Sequence, residues 1–234
     1  MTESLGKSKS DLWMRTLSAV VMVAVAGSAL WFGGFVWTAF AALVALGVLW
    51  EWSRLTLAIT PSTGARIGWG IGGIVYIGLA IFGLLFLRSA PMLAGAFIVL
   101  TVILSVIATD VGAYFAGRAI GGPKIAPKIS PSKTWAGLAG GMLASGGVIA
   151  WSTIGFRTPG DLTPTSVPIG AVGVGMVIAV IAQAGDFFES WMKRMAGVKD
   201  SGNLIPGHGG LFDRVDGLLA VLFVVGVIAL IAGI

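Results

Sequence analysis

Four aspartates stand at the edges of long apolar runs: Asp110 in TDVGAYFAGR, Asp186 in GDFFESWMKR, and Asp213 with Asp216 in LFDRVDG. A carboxylate held inside an apolar run is costly, so a functional role is the default expectation for it. Asp110 precedes Arg118 by eight residues, and Asp186 precedes Arg194 by eight. On helices each acid would therefore lie about 12 Å deeper than its arginine. Tyr114 and Arg118 share the helical face of Asp110, and Asp213 and Asp216, three apart, share another. Carboxylates brought to similar depth by three helices suit a hard divalent cation such as Mg²⁺, which prefers carboxylate oxygen and water. One histidine and no cysteine make a poor ligand supply for zinc.

Each acid also has an ordinary reading. Asp213 could cap a helix by accepting free amide hydrogens, and Asp110 could pair with a neighbouring arginine. In GDFFESWMKR, Asp186, Glu189, Ser190, Lys193 and Arg194 fall within an arc of about 140°, with Phe187, Phe188, Trp191 and Met195 opposite. Lys193 and Arg194 could snorkel to the headgroups; Asp186 is too deep for that.

The segments between these helices carry the complementary charge. RAIGGPKIAPKISPSKTWAG, Arg118 to Gly137, holds four cations, among them Lys133, no acid, and the hydroxyls of Ser130, Ser132 and Thr134. GVKDSGNLIPGHGGLFDR, Gly197 to Arg214, adds Lys199, Arg214, His208 and glycines whose amides can approach an anion. Alone, such loops would read as basic surfaces for anionic lipid headgroups. Beside the acids they are what a metal–polyphosphate substrate needs, the acids for the metal and the cations for phosphate oxygens.

The elements that must position these groups are membrane helices. Of 234 residues, 56% are hydrophobic and 11% charged, against about 25% charged in soluble domains. The 36 glycines allow close helix approach. The net charge of +5 comes with no soluble basic domain, so it is topological and does not indicate nucleic acid. With no cysteine there is no disulfide or thiolate nucleophile. Seven spans are expected, at about 13–33, 35–57, 67–87, 92–118, 135–155, 168–194 and 213–233. The first follows a basic start and contains AVAGSA, but its length and the span directly after it favour a retained helix over a signal peptide. The fold class is thus an all-α polytopic membrane bundle in a single domain: residues 1–12 a cytoplasmic segment, 13–108 scaffold spans, 109–217 a catalytic region, and 213–233 the last span.

Lys7, Lys9, Arg15, Arg54, Arg66, Arg118, Lys124, Lys128, Lys133, Lys193, Arg194, Lys199 and Arg214 fall on one side, and only Arg88 and Arg157 on the other. The positive-inside rule then makes the N-terminus cytoplasmic and the C-terminus external. The turn-rich TPGDLTPTSVP, Thr158 to Pro168, reads as an exposed outer connection. GWGIGG, Gly68 to Gly73, matches a dinucleotide pattern, but it lies within a span with no strand before it, and helix packing explains it. Trp31, Trp37, Trp50 and Trp52 suit an interfacial belt.

SWMKRMAGVKDSGNLIPGHGGLFDRVDG, Ser190 to Gly217, closely resembles the signature of phosphatidate cytidylyltransferases, with its Lys-Arg pair, Lys-Asp, His-Gly-Gly and Asp-Arg-x-Asp. SPSKTWAG, Ser130 to Gly137, resembles that family's Ser-Pro-x-Lys-Thr segment, and DVGAYFAGR the stretch before it. WEW, Trp50 to Trp52, is a weaker echo. Ala136 stands where the family segment commonly has glutamate. The resemblance implies conversion of CTP and phosphatidate to CDP-diacylglycerol and pyrophosphate at the cytoplasmic side of the inner (plasma) membrane, a requirement for Mg²⁺, and a homodimer. It also implies paired metal ions near Asp186 and Asp213, which Asp110 or Asp216 would complete.

Phosphatidate is largely dianionic at neutral pH, its second phosphate pKa being about 6, so its own oxygen can attack the α-phosphorus of CTP. Neither a protein nucleophile nor a strong general base is needed; the obstacle is charge repulsion, met by metal and positioned cations. Lys133, Arg118, Lys193, Arg194, Lys199 and Arg214 would serve the phosphates. His208 with Gly209 and Gly210 would shape the loop over them, His208 either touching phosphate or holding the loop. A CTP-dependent polyprenol or phytol kinase would need a similar site, plus a base for the alcohol. An ion-coupled transporter would need polar residues continuing to the outer face, and the helices turn apolar there.

Overall fold

The computed structural model describes residues 2–91, 93–155 and 169–233, the first helix before residue 13 by its backbone alone. The expected outer connection at 158–168, with Arg157, lies outside the described residues. Helices α1 (Thr2–Phe32), α2 (Gly34–Ile59), α3 (Thr63–Arg88), α4 (Ala94–Ala119), α5 (Trp135–Gly155), α6 (Ile169–Met195) and α7 (Phe212–Ala232) follow in order. All seven are long and apolar enough to cross a membrane, so the chain is a polytopic helical bundle. A bilayer core about 30 Å thick demands about 20 residues per crossing, and this is why the apolar runs and the helices coincide.

One element departs from an all-helical reading. The basic connection between α4 and α5 folds into a small antiparallel hairpin, β1 (Lys124–Ala126) with β2 (Ser130–Thr134), paired Lys124 to Thr134 and Ala126 to Ser130. It leads straight into α5, whose first free amides need acceptors. Thr134 provides one, its Oγ1 accepting the Gly137 amide at 3.0 Å.

The core has two parts. Trp37, Val48, Trp52 and Leu55 of α2 pack with Ile77, Ala80 and Leu84 of α3, Met192 of α6, and Phe212, Leu219 and Leu222 of α7. A smaller group joins Val102 and Val106 of α4 to Ala182 and Val221. The most extensive contact is between α4 and α5, and backbone approach makes it. A Cβ on Gly112 would come 2.6 Å from Gly140 O and 2.7 Å from the Ala144 methyl. Nearby, the Ser145 hydroxyl donates to Gly175 O of α6 at 2.7 Å and lies 2.6 Å from the Ser105 hydroxyl of α4. Buried hydroxyls without water must be paired, and this relay binds α4, α5 and α6 together. Outward, α4 presents Leu100, Leu104, Ile107 and Val111.

Candidate active site

The C-terminal ends of α2, α4 and α6, the N-terminal end of α7, the hairpin and the 196–211 loop form one polar region. Its first cluster centres on Lys133. Strand β2 projects this lysine onto Asp186 of α6, with which it forms an ion pair; its ammonium also lies 5.2 Å from the Phe187 ring. Asp110 of α4 is exposed and Asp216 of α7 half-buried. Of the aspartates read from three helices, Asp186 is the one the hairpin lysine contacts. Ser190 donates to Asp186 Oδ1 at 3.4 Å, and Asp216 Oδ1 accepts the Gly217 amide at 2.8 Å.

The second cluster lies deeper in the protein. Lys193 Nζ stands 2.6 Å from Glu189 Oε2, one helical turn back, and 2.7 Å from Asp213 Oδ1 on α7. Asp213 Oδ2 accepts the amides of Ser201 and Gly210, each at 2.9 Å, and the Ser201 hydroxyl at 3.1 Å. Both Asp213 oxygens are thus engaged by protein donors, and the acid ties the loop to the start of α7. Within the ionic arc of α6, Glu189 faces inward at 1% exposure, Asp186, Ser190 and Lys193 are half-buried, and Arg194 is exposed. Its Oε1 is buried with no hydrogen-bond partner.

The remaining expected residues are placed as follows. Arg214 donates through Nε at 3.1 Å and Nη2 at 2.6 Å to His208 O, a fork that fixes the turn of the glycine loop. The His208 ring reaches α1, Nδ1 lying 2.8 Å from the Ser18 hydroxyl. Gly209 takes φ +83° beside Asp213, a conformation favouring glycine. Gly210 is buried with its amide on Asp213, so that amide faces inward. Thr134 is buried and caps α5. Ser132 is exposed and Ser130 half-buried. Arg118 donates to the Tyr114 hydroxyl at 2.8 Å on an exposed face of α4. Arg194 donates to Ile129 O at 3.4 Å, joining α6 to the hairpin turn, and Lys199 is exposed.

Sequence reasoning gave no site role to three residues: Glu189, placed only on the ionic arc of α6, Ser201 and Glu51. Ser201 and Glu51 belong to the second cluster: the Ser201 hydroxyl donates to Glu51 Oε2 at 2.8 Å. The available signal for Glu51 was a lone acid in the apolar stretch LWEWS.

The acid that could take part in holding a metal here is Asp186. Among the described residues no three acidic or histidine side chains converge at ligand spacing, yet Mg²⁺ usually keeps several waters and takes one or two carboxylates plus substrate phosphate. Asp186 could be such a carboxylate: a cation, the Lys133 ammonium, already sits on its Oδ2, and Ser190 is on its Oδ1.

The profile of the cytidylyltransferase family matches residues 64–232. A phosphatidate cytidylyltransferase of Brucella suis biovar 1 (strain 1330) is 32% identical over 256 aligned positions, covering 90% of this chain and 90% of that protein. One of Rickettsia bellii (strain RML369-C) is 35% identical over 91% of this chain and 88% of its own length. One of Haemophilus influenzae (strain ATCC 51907 / DSM 11121 / KW20 / Rd) reaches 45% over 129 residues, 54% of this chain and 43% of that protein. With the signature residues Ser190–Gly217 folded around this polar region and the match extending across most of the chain, the protein belongs to the cytidylyltransferase family.

Proposed function

We propose that the chain transfers a cytidylyl group from CTP to phosphatidate, forming CDP-diacylglycerol and releasing pyrophosphate. The observation that carries this reading is the similarity to phosphatidate cytidylyltransferases along 90% of the chain, joined to a site that offers carboxylates and cations at one end of the membrane helices. The phosphatidate oxygen attacks the α-phosphorus, the bond to the β-phosphate oxygen breaks, and the electron pair leaves with pyrophosphate. Asp186, together with Asp110 or Asp216, would hold Mg²⁺, and Asp213 would complete the acid set through the loop it anchors. Bound there, the metal would supply charge neutralisation on the phosphate oxygens. Lys133, released from Asp186 in that state, can turn to a phosphate, and Arg118, Arg194, Lys199 and Arg214 line the approach. Positioned charge of this kind stabilises the transition state without reorganisation at the moment of reaction.

The excess of cations on the site's side supports a cytoplasmic location in a bacterial inner membrane. There CTP reaches the site from the cytosol and phosphatidate laterally from the bilayer. The test is purified protein in detergent or liposomes with phosphatidate, labelled CTP and Mg²⁺, beside Asp213→Asn. Mg²⁺-dependent CDP-diacylglycerol from the parent, lost on chelation and nearly lost in the variant, is the expected result. A folded parent that forms no liponucleotide with any divalent metal overturns the reading.

A further inference from the structure

Glu51 lies on α2, outside the residues 64–232 matched by the family profile, and is 1% exposed. A buried carboxylate is costly unless its oxygens are hydrogen-bonded, and among the described residues the hydrogen-bond partners of Glu51 all belong to the signature loop. Oε1 accepts the Leu211 amide at 2.9 Å; Oε2 accepts the Phe212 amide at 2.8 Å and the Ser201 hydroxyl at 2.8 Å. The two amides are free donors at the start of α7, whose N-cap residue makes no side-chain cap of its own. Glu51 is therefore a cap delivered from another helix, with negative charge at the favourable end of the helix dipole.

Three further features are built around it. Gly202 and Gly210 leave room for the carboxylate: a Cβ on Gly210 would come 2.7 Å from Glu51 Oε2, and one on Gly202 2.7 Å from Glu51 Cδ. The next residue, Trp52, packs its ring 5.9 Å from that of Phe212. And the segments that Glu51 grips are those that grip Asp213, since Ser201 and Gly210 donate their amides to Asp213 Oδ2.

We propose that Glu51 is a positioning residue for cytidylyl transfer. From α2 it fixes both ends of the loop, Ser201 and Leu211–Phe212, and through them the orientation of Asp213 and Arg214. This rests on the function proposed above. Glu51→Gln keeps the shape and leaves one carbonyl oxygen for three donors. A hydrogen bond to a charged group is worth roughly 1.5–3 kcal/mol, so kcat should fall roughly 10- to 100-fold. The KM for CTP should move much less, and hydrogen exchange at residues 210–212 should quicken while α4 keeps its protection. Glu51→Asp, which retains both oxygens, should recover part of the loss. Parental kcat in folded Glu51→Gln, or lost activity with parental exchange at 210–212, overturns the proposal. If Glu51→Gln fails to fold, Ser201→Ala carries the test: it removes the hydroxyl shared by Glu51 Oε2 and Asp213 Oδ2 and leaves the Ser201 amide on Asp213, and parental kcat or parental exchange at 210–212 there overturns the proposal. Exchange reads the loop whether or not the parent turns over, so failure of this inference is distinct from failure of the proposed reaction.

Discussion

Lys193 of α6 reaches Asp213 at the start of α7, Nζ to Oδ1 2.7 Å, while holding Glu189 at 2.6 Å. One ammonium serves two inward-facing carboxylates on two helices, and no other cation pairs with either acid among the described residues. Breaking a buried pair by deleting one partner leaves charge uncompensated and costs about 3–5 kcal/mol. Lys193→Met is therefore expected to lower unfolding stability in detergent by about that amount. Thermal and denaturant melts of parent and variant, monitored by circular dichroism, check it.

Lys133 and Asp186 form the contact between hairpin and bundle. Asp186→Asn and Lys133→Ala should each lower kcat by roughly 10²–10³, the range seen when one electrostatic contact to a transition state is lost. Because the two residues touch, the double variant should lose less than the product of the single losses. Steady-state rates of all four proteins measure that coupling.

Gly210→Ala puts a methyl where Glu51 Oε2 and Gly202 N would each lie 2.7 Å away. Overpacking of this kind costs about 1–3 kcal/mol, and here it displaces the loop that holds Asp213, so activity should fall sharply. Gly70→Ala, whose methyl would meet nothing within 4 Å, should keep parental activity. Initial rates of the two proteins at matched folded concentration distinguish a close-packed glycine from one with open space beside it.

The Ser18 hydroxyl, 2.8 Å from His208 Nδ1, is a side-chain link between α1 and the signature loop. Ser18→Ala should cost about 1 kcal/mol, the usual net value of one hydrogen bond, and leave kcat within about twofold. Limited proteolysis near the N-terminus should quicken in the variant, reporting a loosened α1.

The bundle was legible because bilayer thickness fixes helix length, and every expected span returned as a helix with its bounds within a few residues, except that α1 begins at Thr2, well before the expected start at 13. Asp186 with Lys133, and Lys193 with Asp213, meet because charges in an apolar chain have few places to go. What each partner does there was less legible. Thr134 reads as a hydroxyl for substrate, yet the free amides of α5 claim it, a need visible only once β2 is seen to run directly into that helix. The hairpin has two short strands, one containing Pro131, and leaves little pattern in sequence. Glu51 sits 160 residues from Leu211 along the chain, and nothing local to LWEWS points there; its role appears only when α2 and α7 are side by side.

The backbone contact of Gly112 with Gly140, and the hydroxyl relay from Ser105 through Ser145 to Gly175, hold α4, α5 and α6 together without using the side chains that face lipid. Leu100, Leu104, Ile107 and Val111 are consequently free of any duty to the site. A bilayer a few Å thicker or thinner imposes only fractions of a kcal/mol per Å of mismatch on such a protein. Lengthening or shortening the apolar stretch at the helix ends away from the site can match a new membrane while the ion pairs keep their distances. The catalytic end and the hydrophobic belt can thus be tuned separately, one by charge and the other by thickness.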